Sequence, residues 1–514
     1  MNRSEVTKEN RWKVEAIFND LEDWKKALNS LLKDNKLNLT NLLQYKGKLH
    51  EGPEVLKKSL DANFNLERQL TKLYTYAHLR HDEDIADTEN KGAFIQMMGV
   101  MNDYGVGMSW FEPELLSLSE EKMKEYLNSP ELKDFRFHLE KIFRMKPHTL
   151  SKEEERLIAL SANALSTSYK TFSALNDADL KFGEAIDSNN KVYPITHGNY
   201  QVLLRSPDRT LRQNAFETYH HVFAQYQNTL AELLRGAVER NIFNARARRF
   251  PSALDAALYP NKIDPKVYRQ LISTVKQNLK PLYRYFDLRK KILGLDDIHL
   301  FDMMVPLTPS LDMKVEYPDA EKLLIDAFKP LGKDYTSAIE KGLKSDRWVD
   351  RYENKNKRSG AYSSGCYDTD PYILMNYKNL MRDVFTLAHE AGHSMHSLLT
   401  RKTQPYHYGD YPIFLAEVAS TFNEELLNHH LLNTLKSDQE KIFLITQKLD
   451  DIRGTLFRQT MFAEFELKID TIIQQLSDKD CQRVEFLRGM LAAYREIVET
   501  RQGWVKKQVN DYFK

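Results

Sequence analysis

Apolar residues recur at spacings of three and four along much of the 514-residue chain, the period of an α-helix that buries one face. In KIFLITQKLDDIRGTLFRQTMFAEFELKIDTIIQQL, Leu449, Ile452, Leu456 and Phe457 keep this period, and so do Phe462, Phe465, Ile469, Ile472 and Ile473. The pattern predicts one long helix or two collinear ones over 440–476, with a face packed into a core. The stretch 1–185 reads as all-helical, with breaks near Asn102–Gly107, Phe111–Pro113 and Lys146–Thr149. Two segments depart from the helical period. In KVYPITHGNYQVLLRSPD, Val192, Tyr193 and Ile195 precede the turn signal His197-Gly198-Asn199, and Tyr200, Val202 and Leu203 follow it, which predicts β structure on either side of a turn. Ser206 then suits a helix N-cap, with Pro207 at the first helical position. The second segment, SGAYSSGCYDTDPYILMNY (359–377), sets an extended run, Tyr372–Tyr377, among small and turn-forming residues. The expected fold is mostly α, multi-helical, with a small β element. The main boundary is expected near 190–205, separating a helical domain over 1–190 from a second domain over 191–514.

Composition narrows the function. Hydrophobic residues are 42% and charged residues 29% of the chain, a globular balance. The 74 basic and 73 acidic residues leave a net charge of +1, so no electrostatic feature points to nucleic acid or a membrane surface as partner. No run of about 18 apolar residues occurs and the start, MNRSEVTKENRWKVEAIF, has no apolar core after its charges, so the expected location is the cytoplasm. Two cysteines, Cys366 and Cys481, cannot make a disulfide framework. Without a base nearby in sequence, Cys366 is not expected to be a nucleophile.

The strongest chemical signal is LAHEAGHSMHS (387–397), which contains H-E-x-x-H as His389, Glu390 and His393. Residues four apart on a helix lie one above the other, so the two imidazoles can take adjacent corners around Zn²⁺. Glu390 projects about 100° round from His389, where a base for an activated water should stand. Zinc needs a third protein ligand. His396 is about 10.5 Å of helical rise from His389 and cannot share one metal with it on a straight helix, so it is read as a supporting or structural histidine. Asp410 lies in the turn-rich QPYHYGDYP and is less constrained. Glu417 opens the helical pattern FLAEVASTFNEELL and can project from a second helix onto the first; it is the ligand chosen. Ser420, Thr421 and Glu424 fall on its helical face and can orient the ligands. The extended run before the motif can add a substrate backbone as a strand, with Gly360 and Gly365 allowing close approach.

The segments KRSGAYSSGCYDTDPYILMNY (357–377), LAHEAGHSMHS (387–397) and QPYHYGDYPIFLAEVASTFNEELL (404–427) resemble the oligoendopeptidase F branch of the thimet-type (M3) zinc metallopeptidases. Weaker agreement runs through RSPDRTLRQNAFETY, RWVDRYENKNK and FRQTMFAEFE (457–466). The resemblance implies one zinc held by His389, His393 and Glu417, Glu390 as general base, and a zincin-like helical fold around a deep channel that admits short peptides. The substrate-contacting candidates are Gly360, Ala361, Tyr362, Tyr372, Ile373 and Leu374, with His407 and Tyr408 from the loop before Glu417. Family members usually carry a further C-terminal stretch of the His-Phe-Tyr type. The chain ends in AAYREIVETRQGWVKKQVNDYFK, where Tyr494 and Tyr512 do not match that stretch. The expected function is a zinc endopeptidase acting on short oligopeptides. The alternative is a C-terminally truncated homologue that binds zinc and peptides with weak activity or none.

Overall fold

Long helices carry most of residues 1–308 and 313–475, which this computed structural model describes, and the strands are short. Cys481, Tyr494, Tyr512 and the last residue of the helix expected over 440–476 lie outside the described residues. Packing divides the chain into two compact units that interleave in sequence, Met1–Lys146 with Asp312–Lys436, and Pro147–Leu311 with Ser437–Lys514. The H-E-x-x-H motif therefore shares a unit with the N-terminal segment. This division differs from the sequential halves 1–190 and 191–514.

In the first unit, the 31-residue helix α1 (Pro53–Glu83) places Leu70, Leu73, Tyr76 and Leu79 in a core with Trp12, Trp24, Tyr372 and Leu374. Both indole N–H groups are satisfied, Trp12 by Glu83 at 2.6 Å and Trp24 by the carbonyl of Leu73 at 2.9 Å. A helix Lys333–Leu343, α2, precedes a three-stranded sheet. Its strands are β1 (Val349–Asp350), β2 (Tyr362–Ser364) and β3 (Tyr372–Leu374), in spatial order β1-β3-β2. β1 runs parallel to β3 and β2 antiparallel to it, with Ser363 opposite Ile373. Asp350 anchors the sheet through ion pairs to Arg3 at 2.5 Å and to Lys357 at 2.6 Å, and the side chains of Asp350 and Lys357 are fully buried. Burial opposes the charge on Asp350, but Lys357 and Arg3 together hold its carboxyl below the ordinary aspartate range.

Helices α3 (Met381–Thr403) and α4 (Ile413–Thr434) follow. Met381, Val384, Leu387, Ala388, Ala391 and Met395 form the buried stripe of α3, the three-and-four spacing expected of a packed helix. Asp383 accepts the backbone N–H groups of Lys378 and Leu380 and so closes its first turn.

Several local expectations are corrected. No break occurs at Asn102–Gly107, because the helix Thr88–Met108 runs through it. Gly107 lies against Leu39, whose Cδ1 would be 1.9 Å from a Cβ there. The glycine thus serves close packing, and the next helix spans Phe111–Leu116. In the second unit, Val192–Pro194 is a strand, but it pairs with Glu184–Ile186 and not with the residues after the turn. Tyr200–Leu203 is a helical turn, closed by reciprocal bonds between Thr196 and Asn199. The N-cap of the next helix, Arg209–Gln225, is Asp208 and not Ser206; its carboxylate accepts the N–H of Leu211 at 3.1 Å. The helical stretch near the end is Asp438–Ile452 and Gln459–Gln475, joined by the π-helical Arg453–Arg458. Among the described residues no helix is long and apolar enough to cross a membrane.

Candidate metal centre

The i, i+4 spacing on α3 puts the rings of His389 and His393 on one face, and α4 brings Glu417 against them. His393 Nε2 lies 3.1 Å from His389 Nε2; Glu417 Oε2 lies 3.2 Å from His389 Nε2 and 3.4 Å from His393 Nε2. Three ligand atoms thus form a nearly equilateral triangle. A tetrahedral zinc site with bonds of about 2.0–2.1 Å has edges of about 3.3–3.4 Å, so the triangle has the size of one face of such a site. The donor set of two imidazoles and a carboxylate fits zinc in composition and in spacing. No other cluster of three histidine, cysteine or acidic side chains with this closeness occurs among the described residues.

The ligands are held from behind. Glu424, two turns further along α4 on the same face, meets His389 Nδ1 at 2.5 Å, which directs the lone pair of Nε2 into the triangle. The Oγ of Ser420, a fully buried residue, donates to Glu417 Oε2 at 2.8 Å. The backbone carbonyl of Ala416 supports His393. Thr421 bonds the backbone carbonyl of Glu417 at 2.5 Å, within its own helix. Burial lowers the proton affinity of His389, but the Glu424 bond and the carboxylates of Glu390, Glu424 and Glu417 outweigh it and raise its pKa. His393 is pushed down by burial and by the neighbouring His389.

Glu390 is buried, beside the triangle on α3. Burial raises its pKa against the opposing effects of His389 and of a hydrogen bond from the backbone N–H of Ser363, with Glu417 and Glu424 adding to the rise. Ser363 is the middle residue of β2, and its Oγ lies 2.9 Å from the Oγ of Ser394 on α3. The edge of the sheet is thus joined to the helix that carries Glu390 by two contacts. Both serines lie within the quoted segments, but nothing in the sequence marks either as supporting the base.

The sheet changes the account of the peptide-contacting candidates. β3 is the central strand, hydrogen-bonded to β1 on one side and to β2 on the other, and Tyr372, Ile373 and Leu374 are at most 1% exposed. Its backbone is not open to a peptide and its side chains face the core. Among the described residues the edge strands are β1 and β2, and β2 is the one that meets Glu390. Because antiparallel pairing alternates, Tyr362 and Ser364 flank a residue whose N–H turns away from β3, in agreement with the bond from Ser363 to Glu390. The Tyr362 hydroxyl donates to Asp82 at 2.8 Å. Gly360 has φ +86°, which favours glycine, and nothing stands within 4 Å of where its Cβ would be. Ala361 is half-buried. Gly365, with φ +134°, is packed against the carbonyl of Asp370 and against Arg401, so its lack of a side chain serves the protein's own packing.

His407 and Tyr408 turn toward residues 134–138. His407 Nε2 is 2.9 Å from the carbonyl of Asp134, and the Tyr408 hydroxyl accepts the N–H of His138 at 3.2 Å. Both line a surface cleft of about 650 Å³ with Phe64, Phe135 and Phe137. His396 ligates nothing. Its ring stacks on Tyr411 with centroids 3.6 Å apart, and its Nδ1 is buried without a partner. Asp410 is exposed and outside the triangle. Cys366 is a buried free thiol.

A feature between the two histidines was legible but unused. A glycine inside a helix, flanked by buried residues, signals a close approach. Gly392 is where α3 and α4 touch: a Cβ there would stand 2.6 Å from the carbonyl oxygen of Ala419 and 2.6 Å from the Cα of Ser420.

Comparison with known proteins gives the same picture. Residues 202–501 match the family model of peptidase family M3, and residues 114–182 match that of oligopeptidase F. The chain is 42% identical over 475 residues to oligopeptidase PepF of Bacillus subtilis, covering 92% of this chain and 70% of that protein. It is 35% identical over 509 residues to group B oligopeptidase PepB of Streptococcus agalactiae, covering 98% and 82%. The crystal structure of oligoendopeptidase-F from Enterococcus faecium superposes with a TM-score of 0.65 at 28% identity, over 95% of this chain and 80% of that one. A crystal structure from Chlamydophila abortus superposes with a TM-score of 0.90 at 36% identity, over 99% and 85%. With a family match over more than half its length and relatives above 30% identity across nearly all of it, the chain belongs to peptidase family M3, on its oligoendopeptidase F branch.

Proposed function

We propose that the chain is a zinc-dependent endopeptidase that hydrolyses short oligopeptides in the cytoplasm, with His389, His393 and Glu417 holding one zinc and Glu390 acting as general base. The observation that carries this reading is the triangle of ligand atoms with edges of 3.1, 3.2 and 3.4 Å, beside a buried carboxylate on the same helix. Zinc bound there supplies a Lewis acid that polarises a peptide carbonyl and acidifies a water molecule.

The protein's own groups do the rest. Glu390 takes the proton of the attacking water and passes it to the leaving amine. Its burial raises its proton affinity above that of an ordinary glutamate, which suits a group that must both accept and return a proton. Glu424 and Ser420 keep the ligands in place. A peptide adds to the open edge of β2, whose middle residue Ser363 already bonds Glu390, so the backbone is recognised next to the base and varied sequences are accepted. Gly360 and Ala361, just before that strand, are placed to contact the peptide. The names of the Bacillus and Streptococcus relatives, both oligopeptidases, agree with short peptides as substrates.

The test is elemental analysis together with cleavage of a short quenched peptide, before and after treatment with a chelator. One zinc per chain, loss of cleavage on chelation and recovery on adding zinc are expected, with a compact folded protein left uncut. A metal-free protein with its fold intact, or cleavage indifferent to chelation, overturns the proposal.

A further inference from the structure

Asn423 lies on α4 directly before Glu424, is 1% exposed, and belongs to no metal-binding motif. Its Nδ2 donates to the backbone carbonyl of Ala388, at 3.3 Å, and its Oδ1 accepts from the hydroxyl of Tyr335 on α2, at 3.0 Å. The three elements that meet here are the helix with both histidines, the helix with Glu417, and a helix that carries no ligand.

The chemistry permits one orientation only. A carbonyl oxygen can only accept, so the amide nitrogen must face Ala388. The amide oxygen then faces Tyr335, whose O–H must donate. Burial pushes the Tyr335 hydroxyl up to about 12, so it keeps that proton. The tyrosine is itself fixed, with its ring set edge-on to the fully buried Phe328 at 6.0 Å. Both residues held at this level are adjacent in sequence to the metal site's own groups. Ala388 precedes His389, and Asn423 precedes Glu424, and those two neighbours meet at 2.5 Å.

We propose that Asn423, backed by Tyr335, is a positioning residue that sets the separation of α3 and α4 and so the placement of Glu417 and Glu424 against His389. The inference rests on the zinc site proposed above. Aspartate would turn an oxygen toward the Ala388 carbonyl and force the helices to shift, although its shape is the same. Phenylalanine at 335 would remove only the donor and leave the ring in place.

Asn423→Asp and Tyr335→Phe in the full chain test this, with zinc affinity from chelator competition and the visible absorption of the Co²⁺-substituted protein as readouts. Asn423→Asp is expected to weaken zinc about 10- to 100-fold, the range for residues that orient metal ligands, and to shift the Co²⁺ bands, which report ligand geometry in the folded protein. Tyr335→Phe is expected to act in the same direction by a smaller factor, and supplies the result if Asn423→Asp does not fold. Parental affinity within twofold and unchanged Co²⁺ bands in a folded Tyr335→Phe and Asn423→Asp overturn the inference while leaving the zinc site standing. A parent chain that binds no zinc overturns both.

Discussion

Gly392 and Ser420 are packed backbone to backbone, so that a Cβ on residue 392 would lie 2.6 Å from the Cα of Ser420 and 2.8 Å from its nitrogen. The two helices of the metal centre are in contact at the level of the triangle, between Glu390 and His393 on one side and just beyond Glu417 on the other.

Gly392→Ala is therefore expected to damage the site. In an isolated helix the exchange would gain up to about 1 kcal/mol from propensity. Here the obstructing atoms are backbone and cannot rotate away, so overpacking at about 1–3 kcal/mol wins. Lower thermal stability together with weaker zinc binding is the expected outcome, read by melting and chelator competition. A more stable variant with parental zinc affinity would show that the helices separate freely.

Glu390→Gln is expected to keep zinc at one per chain and to lose hydrolysis by about a hundred- to ten-thousand-fold, the usual contribution of a general base. Steady-state cleavage and elemental analysis on the same preparation check it. Cleavage at the parental rate would remove Glu390 from the mechanism.

Glu424 makes zinc binding depend on pH. Burial opposes the charged form of His389, but the Glu424 bond and the nearby carboxylates raise its pKa. Zinc must displace that proton, so affinity should fall as pH drops through the raised value. Glu424→Gln removes the main raising contact. It is expected to move this fall to lower pH and, at neutral pH, to cost about 10- to 100-fold in affinity. Zinc titrations across about pH 5–8 decide the matter; an unmoved midpoint counts against the role of Glu424.

Asp82 supports β2 from α1. Its side chain is fully buried and meets Tyr362 at 2.8 Å, Arg358 at 3.1 Å, His81 at 3.1 Å and His78 at 3.2 Å. Burial works against the carboxylate, but His78, Tyr362 and His81 overcome it and lower its pKa from 3.8 to about 2. A depressed folded value stabilises the protein above the unfolded value and ceases to do so as pH falls through the folded one. The shift corresponds to about 2 kcal/mol. Asp82→Asn is expected to lower stability at neutral pH, by less than that amount because histidines such as His78 and His81 are then largely uncharged, with the gap to the parent closing toward about pH 2. Equal melting temperatures at neutral pH would contradict it.

The candidate pair of histidines, the candidate base and the candidate third ligand were legible because each depends on helical geometry over a few residues. A rise and a rotation per residue place His389 and His393 together and set Glu390 to one side, and the apolar period of FLAEVASTFNEELL marks Glu417 as helical. Glu424 and Ser420 were legible for the same reason, lying on the face of Glu417. The sheet was not. The run Tyr372–Tyr377 reads as a strand in sequence, yet whether a strand is central or at an edge depends on its neighbours, and β1 comes from residues 349–350, more than twenty positions earlier. The surroundings of His407 and Tyr408 were not legible either: their partners, Asp134 and His138, come from another part of the chain. The turn after Val192 failed for a local reason, since capping by Thr196 and Asn199 favoured a helical turn over the β propensity of Val202.

What the sequence by itself determined is the helical character of the chain and which residues are candidates to bind zinc and move a proton, because covalent geometry and hydrogen-bond periodicity act over one or two turns. Tertiary structure alone decided that the three candidate ligand atoms close into a triangle, that β2 and not β3 lies at an edge, and that Gly392, Asn423, Ser363 and Asp82 make the contacts described around them. Each of these depends on the distance between segments far apart in the chain, and that distance is set by packing.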